Sequence, residues 1–138
     1  AKDVSKENTL SFSITAQNEV MLNDKPVAVE DIRRRIVDFV RMRGAQHLIL
    51  VDANPASDYN TYFTLENEIV AAYAEVRNAE AKRRHHRDYA SCTDEQRKKV
   101  RDIYPQHLSE TYNTAEVNNS SEDNKTSKAV DEKKGGAE

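Results

Sequence analysis

The chain contains no tryptophan, one cysteine and only three glycines, and each scarcity removes a class of chemistry. With Cys92 alone, no intrachain disulfide can form and no pair of thiols stands at zinc spacing, so cysteine usage says nothing of redox compartment. The glycines are Gly44, Gly135 and Gly136, which cannot build a phosphate-cradling loop or a dinucleotide fingerprint, so enzymes of nucleotide cofactors are excluded. No apolar run approaches the ~18 residues of a membrane span, and no signal peptide is visible. Apolar residues in general are few, 37% against 33% charged. A chain of 138 residues fits one domain, but so little apolar material implies a folded part shorter than the chain or an oligomer that shares the burial. The first residue is Ala1, the trace expected of a cut from something longer or of initiator Met removal.

The shortage is concentrated at the end. Residues 113–138 hold two valines, no aromatic residue and no apolar period, and cannot offset the entropy of ordering, so this tail is expected to be disordered. Its sequons at Asn118, Asn119 and Asn124 are uninformative in a stretch so rich in Asn, Ser and Thr.

What is present begins with alternation. Leu10, Phe12, Ile14 and Ala16 interleave with Ser11, Ser13 and Thr15, the period of a strand with one buried face. Gln17-Asn18-Glu19 reads as a tight turn with Asn18 best able to take a positive φ, and Val20-Met21-Leu22 closes a hairpin. Asn23-Asp24-Lys25-Pro26 is a second turn cluster. Ile32, Ile36, Phe39 and Val40 then recur at helical spacing, with Glu30 and Asp31 early, Arg41 and Arg43 late, and Gly44 placed as the C-cap. His47-Leu48-Ile49-Leu50-Val51 suits a strand buried on both faces or inside the sheet. From about Asn60, Tyr62, Leu65, Ile69, Tyr73 and Val76 mark a second amphipathic helix whose pattern fades after Ala79, so that AKRRHHRDY runs into solvent or frays. Thr93 and Gln96 have capping-box spacing ahead of Val100, Ile103 and Tyr104, and Pro105 stops this short third helix.

These elements predict an α+β fold. A small open sheet from a hairpin, a helix, a strand and a long helix carries its helices on one face, with an extra short helix near the C-terminus. A flexible segment 1–9 precedes a folded unit 10–112, whose helical extension starts at about residue 80, and the tail 113–138 follows.

Few constellations suggest chemistry. Between Lys82 and Arg101, eight basic residues face three acids, 8 − 3 = +5, a local cationic surface of which Arg83, Arg84, Arg87, Arg97 and Lys98 are the candidate contacts. His85 and His86 are adjacent, so on a helix they point about 100° apart, and no i, i+4 ligand pair exists. His47, opening an apolar strand, reads as an ordinary satisfied or edge histidine, and Cys92 as an incidental surface thiol. No nucleophile stands with a base and an orienting acid, so no catalytic, metal or cofactor residue can be named. Nucleic acid is not an expected partner, because aromatics near the basic stretch are sparse and the chain is acidic overall.

The segment SFSITAQNEVMLNDKPVAVEDIRRRI resembles the periplasmic domain of the ExbD/TolR biopolymer-transport family. In that family an apolar-x-apolar strand, a turn, a second strand ending in Leu-Asn and an apolar-led helix precede a strand closing on Asp. The matching positions here are Phe12, Ile14, Val20, Leu22, Asn23, Val27, Ile32 and Ile36, then LILVDA with Asp52, and Tyr59 in DYNTY stands where the family's tyrosine opens the second helix. The resemblance spans Leu10 to Tyr73. Asp24 replaces a usual Gly, and the Ala-Gly junction into a last strand is missing. The stretch from Ala71 to Tyr89 and VRDIYPQHLSE look instead like the long branch of Bacteroidetes-type members, leaving the final strand open.

The resemblance implies a non-enzymatic subunit of a proton-motive-force-driven complex at the periplasmic face of the bacterial inner membrane, powering transport across the outer membrane. It implies a homodimer, an ExbB/TolQ-type channel partner reached through a membrane helix that would precede Ala1, and a TonB/TolA-type protein. Contacts are then expected on the Leu10 to Leu22 hairpin and around Asp52 to Tyr62, at Phe12, Ile14, Val20, Leu22, Asn23, Asp52, Tyr59 and Tyr62, although the apolar ones serve equally well as monomer core. The alternative is a domain that binds an anionic polymer, peptidoglycan-linked or nucleic acid, through residues 82–101.

Overall fold

A computed structural model describes residues 6–112. A short 3-10 turn at Lys6–Asn8 leads into β1 (Thr9–Ile14), and β2 (Val20–Leu22) pairs back on it, Phe12 opposite Leu22 and Ile14 opposite Val20. The intervening turn has Asn18 at φ 67, as its chemistry predicts. The second turn is tighter than the sequence suggests. Only Asn23 and Asp24 turn, at φ 51 and 69, the two successive positive values of a two-residue hairpin, and Lys25–Pro26 become a two-residue strand β3 on β2. Pro26 is tolerated there because β3 is an edge.

Helix α1 (Val29–Arg43) carries acids in its first turn and arginines in its last, and ends at Gly44 with φ 60. After it β4 (Leu48–Ala53) lies parallel to β1 in the register Phe12 opposite Val51. Asp58 caps α2 (Tyr59–His85) by accepting from Thr61 N at 2.8 Å, and these bonds to Thr61 hold its carboxyl below the usual carboxylate range. The capping box of Thr93 and Gln96 opens α3 (Asp94–Ile103). A last strand, β5 (Leu108–Tyr112), runs parallel to β4. The result is an α+β fold on a mixed, open five-stranded sheet of order β3-β2-β1-β4-β5.

One face of the sheet supplies the core. Leu10, Phe12, Ile14, Val20, Leu22, Ile49, Val51 and Ala53 lie under Ile32, Ile36, Val37 and Val40 of α1 and Leu65, Ile69, Ala72, Tyr73 and Val76 of α2. Helices therefore cover one face, as the alternation of β1 requires. The alternation of β4 was masked in the sequence by leucines. Leu48 and Leu50 are only partly buried and Asp52 is exposed, so this strand is internal to the sheet but covered on one side alone.

Two expectations change at the C-terminal end. Of the two outcomes expected after Ala79, the helix runs on rather than frays: α2 holds to His85 with Lys82, Arg83 and Arg84 exposed and closes on His86 at φ 57, because Ala81 is fully buried against Cys92 and Val100 in a second small core beside Tyr89. Cys92 is accordingly not a surface thiol but buried in that core. The sheet has five strands where three were secure in sequence, since β5 gains its hydrogen bonds from β4 rather than from any apolar period of its own. The tail expected to be disordered, residues 113–138, lies outside the described residues.

Candidate functional site

The face of the sheet opposite α1 and α2 bears no helix among the described residues. Period two places Ser11 and Ser13 of β1, Met21 of β2 and Leu50 and Asp52 of β4 there, the first four partly exposed and Asp52 exposed. At one margin β5 pairs, among the described residues, on a single side, with β4. This face carries small hydroxyls and the apolar side chains of Met21, Leu48 and Leu50, beside a strand edge.

The expected contact residues divide sharply. Phe12, Ile14, Val20 and Leu22 are 1, 2, 8 and 4% exposed and sit under the helices, so their side chains build the core of the monomer. Asn23 is exposed but already employed: its Oδ1 accepts from Ser11 N at 3.0 Å while its own N–H donates to Ser11 O at 2.8 Å, which extends the hairpin ladder past Leu22. Asp52 is at the surface on the bare face. Tyr59 and Phe63 are 56 and 50% exposed and stacked with ring centroids 5.9 Å apart, and Tyr62 leans between them and the core. Sequence reading missed Phe63, although its place one turn after Tyr59 was available as a signal. Asn18 joins this end of the molecule together, since its Oδ1 accepts from Asp58 N at 2.7 Å.

The basic stretch is largely consumed by local pairing. Glu80, only 8% exposed, accepts from both Arg83 and Arg84 at 2.6 Å, and those bonds, Arg83 first, hold its carboxyl below the usual range. Arg97 donates to Cys92 O at 2.6 Å and pairs with Asp94, Lys98 pairs with Asp102, and Lys82 with Asp88. Counting Glu80 and Asp102, which flank the window, turns 8 − 3 into 8 − 5 = +3. Arg87 is exposed and makes no ion pair among the described residues. An open depression of about 300 Å³ lined by Arg41, Val76, Ala79, Glu80, Arg83 and Tyr104 lies against this surface, its carboxylate already neutralised.

A polar junction that no sequence motif announced lies inside the fold. His47, 1% exposed just before β4, has Nδ1 at 2.7 Å from Gly44 O and Nε2 at 2.5 Å from the Tyr73 hydroxyl. A carbonyl only accepts, so Nδ1 carries the proton and Nε2 accepts from Tyr73. Burial pushes His47 down from its ordinary value and the Tyr73 phenol up. Arg77 stands over the Tyr73 ring and donates to Tyr104 O at 3.0 Å, and burial lowers it in turn. The His107 ring lies 5.5 Å from that of His47, with its Nδ1 3.2 Å from His47 O. His47 is thus the satisfied histidine its position suggests, with one local partner, Gly44, and two, Tyr73 and His107, that only the fold supplies.

Among the described residues no group of three His, Cys, Asp or Glu side chains is placed to hold a metal, and no helix is long and apolar enough to cross a membrane. No family model and no curated protein matches the chain.

Proposed function

We propose that this chain is the partner-binding periplasmic domain of an ExbD/TolR-like energy-transducing subunit, acting by pairing with a second copy and with an extended segment of a TonB/TolA-type protein. The observation that carries the reading is the open sheet, with one face bare and a β5 edge paired on one side among the described residues. Motif order supports it. The Leu-Asn ending of the second strand falls where Asn23 locks the hairpin, and the terminal aspartate falls at Asp52 on the bare face. The parallel β5 supplies the last strand that the sequence left open. Burial of Phe12, Ile14, Val20 and Leu22 moves the contacts from apolar hairpin side chains to the strand backbone and the bare face. The chain performs no chemistry in this role, and its membrane helix and ExbB/TolQ-type partner would lie with residues before Ala1.

Anionic-polymer binding through residues 82–101 is the weaker reading, because most of those cations are paired. Sedimentation and partner capture separate the two. Ser13→Lys with Leu50→Lys should abolish self-association and strand capture, while neutralising Arg83, Arg84, Arg97 and Lys98 leaves both intact. The opposite pattern would replace the transducer by the polymer binder. The full gene product should also carry an apolar stretch of ~20 residues with one acid upstream of Ala1, and its absence would overturn the proposal.

A further inference from the structure

The buried junction around His47 holds the edge strand in place. Ile49 N, at the start of β4, donates to His107 O at 2.9 Å, and His107 Nδ1 meets His47 O, so the entry to β5 is attached to the residue that also binds Gly44 and Tyr73. Among the described residues, four groups act on the His47 ring. Gly44 O approaches from the turn after α1, the Tyr73 hydroxyl and the Arg77 guanidinium from α2, and the His107 ring from the segment leading into β5. None of these is a carboxylate, and two are cationic or can become so.

We propose that His47 is an acid-sensitive latch on the last strand, with protonation of its Nε2 breaking the bond from Tyr73 and releasing β5 from β4. In the neutral ring every partner is used correctly: Nδ1–H donates to a carbonyl and Nε2 accepts the Tyr73 proton. A second ring proton leaves two donors facing each other across 2.5 Å. The Tyr73 hydroxyl must then rotate and give up its acceptor inside the core, and a new cation sits beside Arg77 and His107 without a counter-ion. Relief requires that the junction open to water. The junction's outermost element is β5, which among the described residues pairs on one side only and follows the exposed His107, so this strand yields first. The sign follows from protons bound. His47 is held below its ordinary value of 6.5, so below that pH the open state takes up a proton that the closed state refuses, and acid favours opening until the folded value is passed.

The latch stands independently of the partner's identity and would make presentation of an edge strand pH-dependent. Hydrogen exchange of the full chain, corrected for intrinsic rates, tests it at pH 7.5 and pH 5.5. The β5 amides bonded to β4 should lose protection relative to those of β1 by about tenfold for each pH unit of depression lying within that interval. His47→Gln, which cannot be protonated, should show the same β5 to β1 ratio at both pH values, and Tyr73→Phe should show low β5 protection at both. Should His47→Gln fail to fold, long-range proton–nitrogen correlation on the unaltered chain reads the tautomer directly, and an Nε2–H at neutral pH would overturn the latch. A ratio that does not change with pH in the unaltered chain would overturn it as well. So would a pH dependence that survives His47→Gln and disappears in His107→Gln.

Discussion

Asn23 offers a perturbation whose parts can be separated. It holds φ 51, and its side-chain oxygen accepts from Ser11 N at 3.0 Å. Alanine in the left-handed region costs about 1 kcal/mol or slightly more because Cβ crowds the following carbonyl. Losing a solvent-accessible hydrogen bond costs about 0.5–1 kcal/mol. Asn23→Ala suffers both and should lose about 2 kcal/mol, whereas Asn23→Gly is relieved of the first and should lose about 1 kcal/mol. Asn23→Asp keeps the acceptor and a residue tolerant of positive φ, so its loss should stay under about 0.5 kcal/mol. Urea unfolding measures the series, with the midpoint shifting and the slope unchanged if only the folded hairpin is affected. Equal losses for Ala and Gly would refute the conformational part, and a loss in Asp as large as in Ala would refute the hydrogen-bond part. Three variants of unchanged stability that no longer capture a partner would make Asn23 a contact residue rather than a hairpin lock.

Phe12, buried on the central strand β1 between β2 and β4, should cost about 3–5 kcal/mol as Phe12→Ala, measured by the same unfolding transition, whereas a residue serving only an interface would leave the monomer unchanged. Thr93→Ala removes the side-chain half of the capping box, the acceptor for Gln96 N, while the backbone N–H of position 93 still donates to Gln96 Oε1; it should cost about 1 kcal/mol, read as faster exchange at the start of α3 without a change in β1. Glu80 is held below its ordinary value of 4.5, so the stability it contributes is present above that pH and is lost as pH falls through the folded value. In Glu80→Gln the unfolding midpoint should therefore vary less between pH 6 and pH 3 than in the unaltered chain, and an identical pH profile would contradict the assignment.

Much of the framework was legible in the sequence because it follows from local periodicity. Alternation from Leu10 to Leu22 can bury only one face, apolar steps of three and four in α1 and α2 can bury only one stripe, and the turn at Asn18 and the caps at Gly44, Thr93 and Gln96 are decided within a few residues. These specify a hairpin, two helices and a strand whatever lies around them. The last strand is different: Leu108–Tyr112 has no apolar period, and it is a strand because the edge of β4 is open to it. Burial of Cys92 and Ala81, the pairing of Arg83 and Arg84 with Glu80, and the bond between His47 and Tyr73 across 26 positions were equally out of reach. Residue types state which groups can donate, accept or be buried. Which of them meet is decided where distant segments close on one another, and in this protein that is the end of the sheet that β5, α3 and the His47 junction build together.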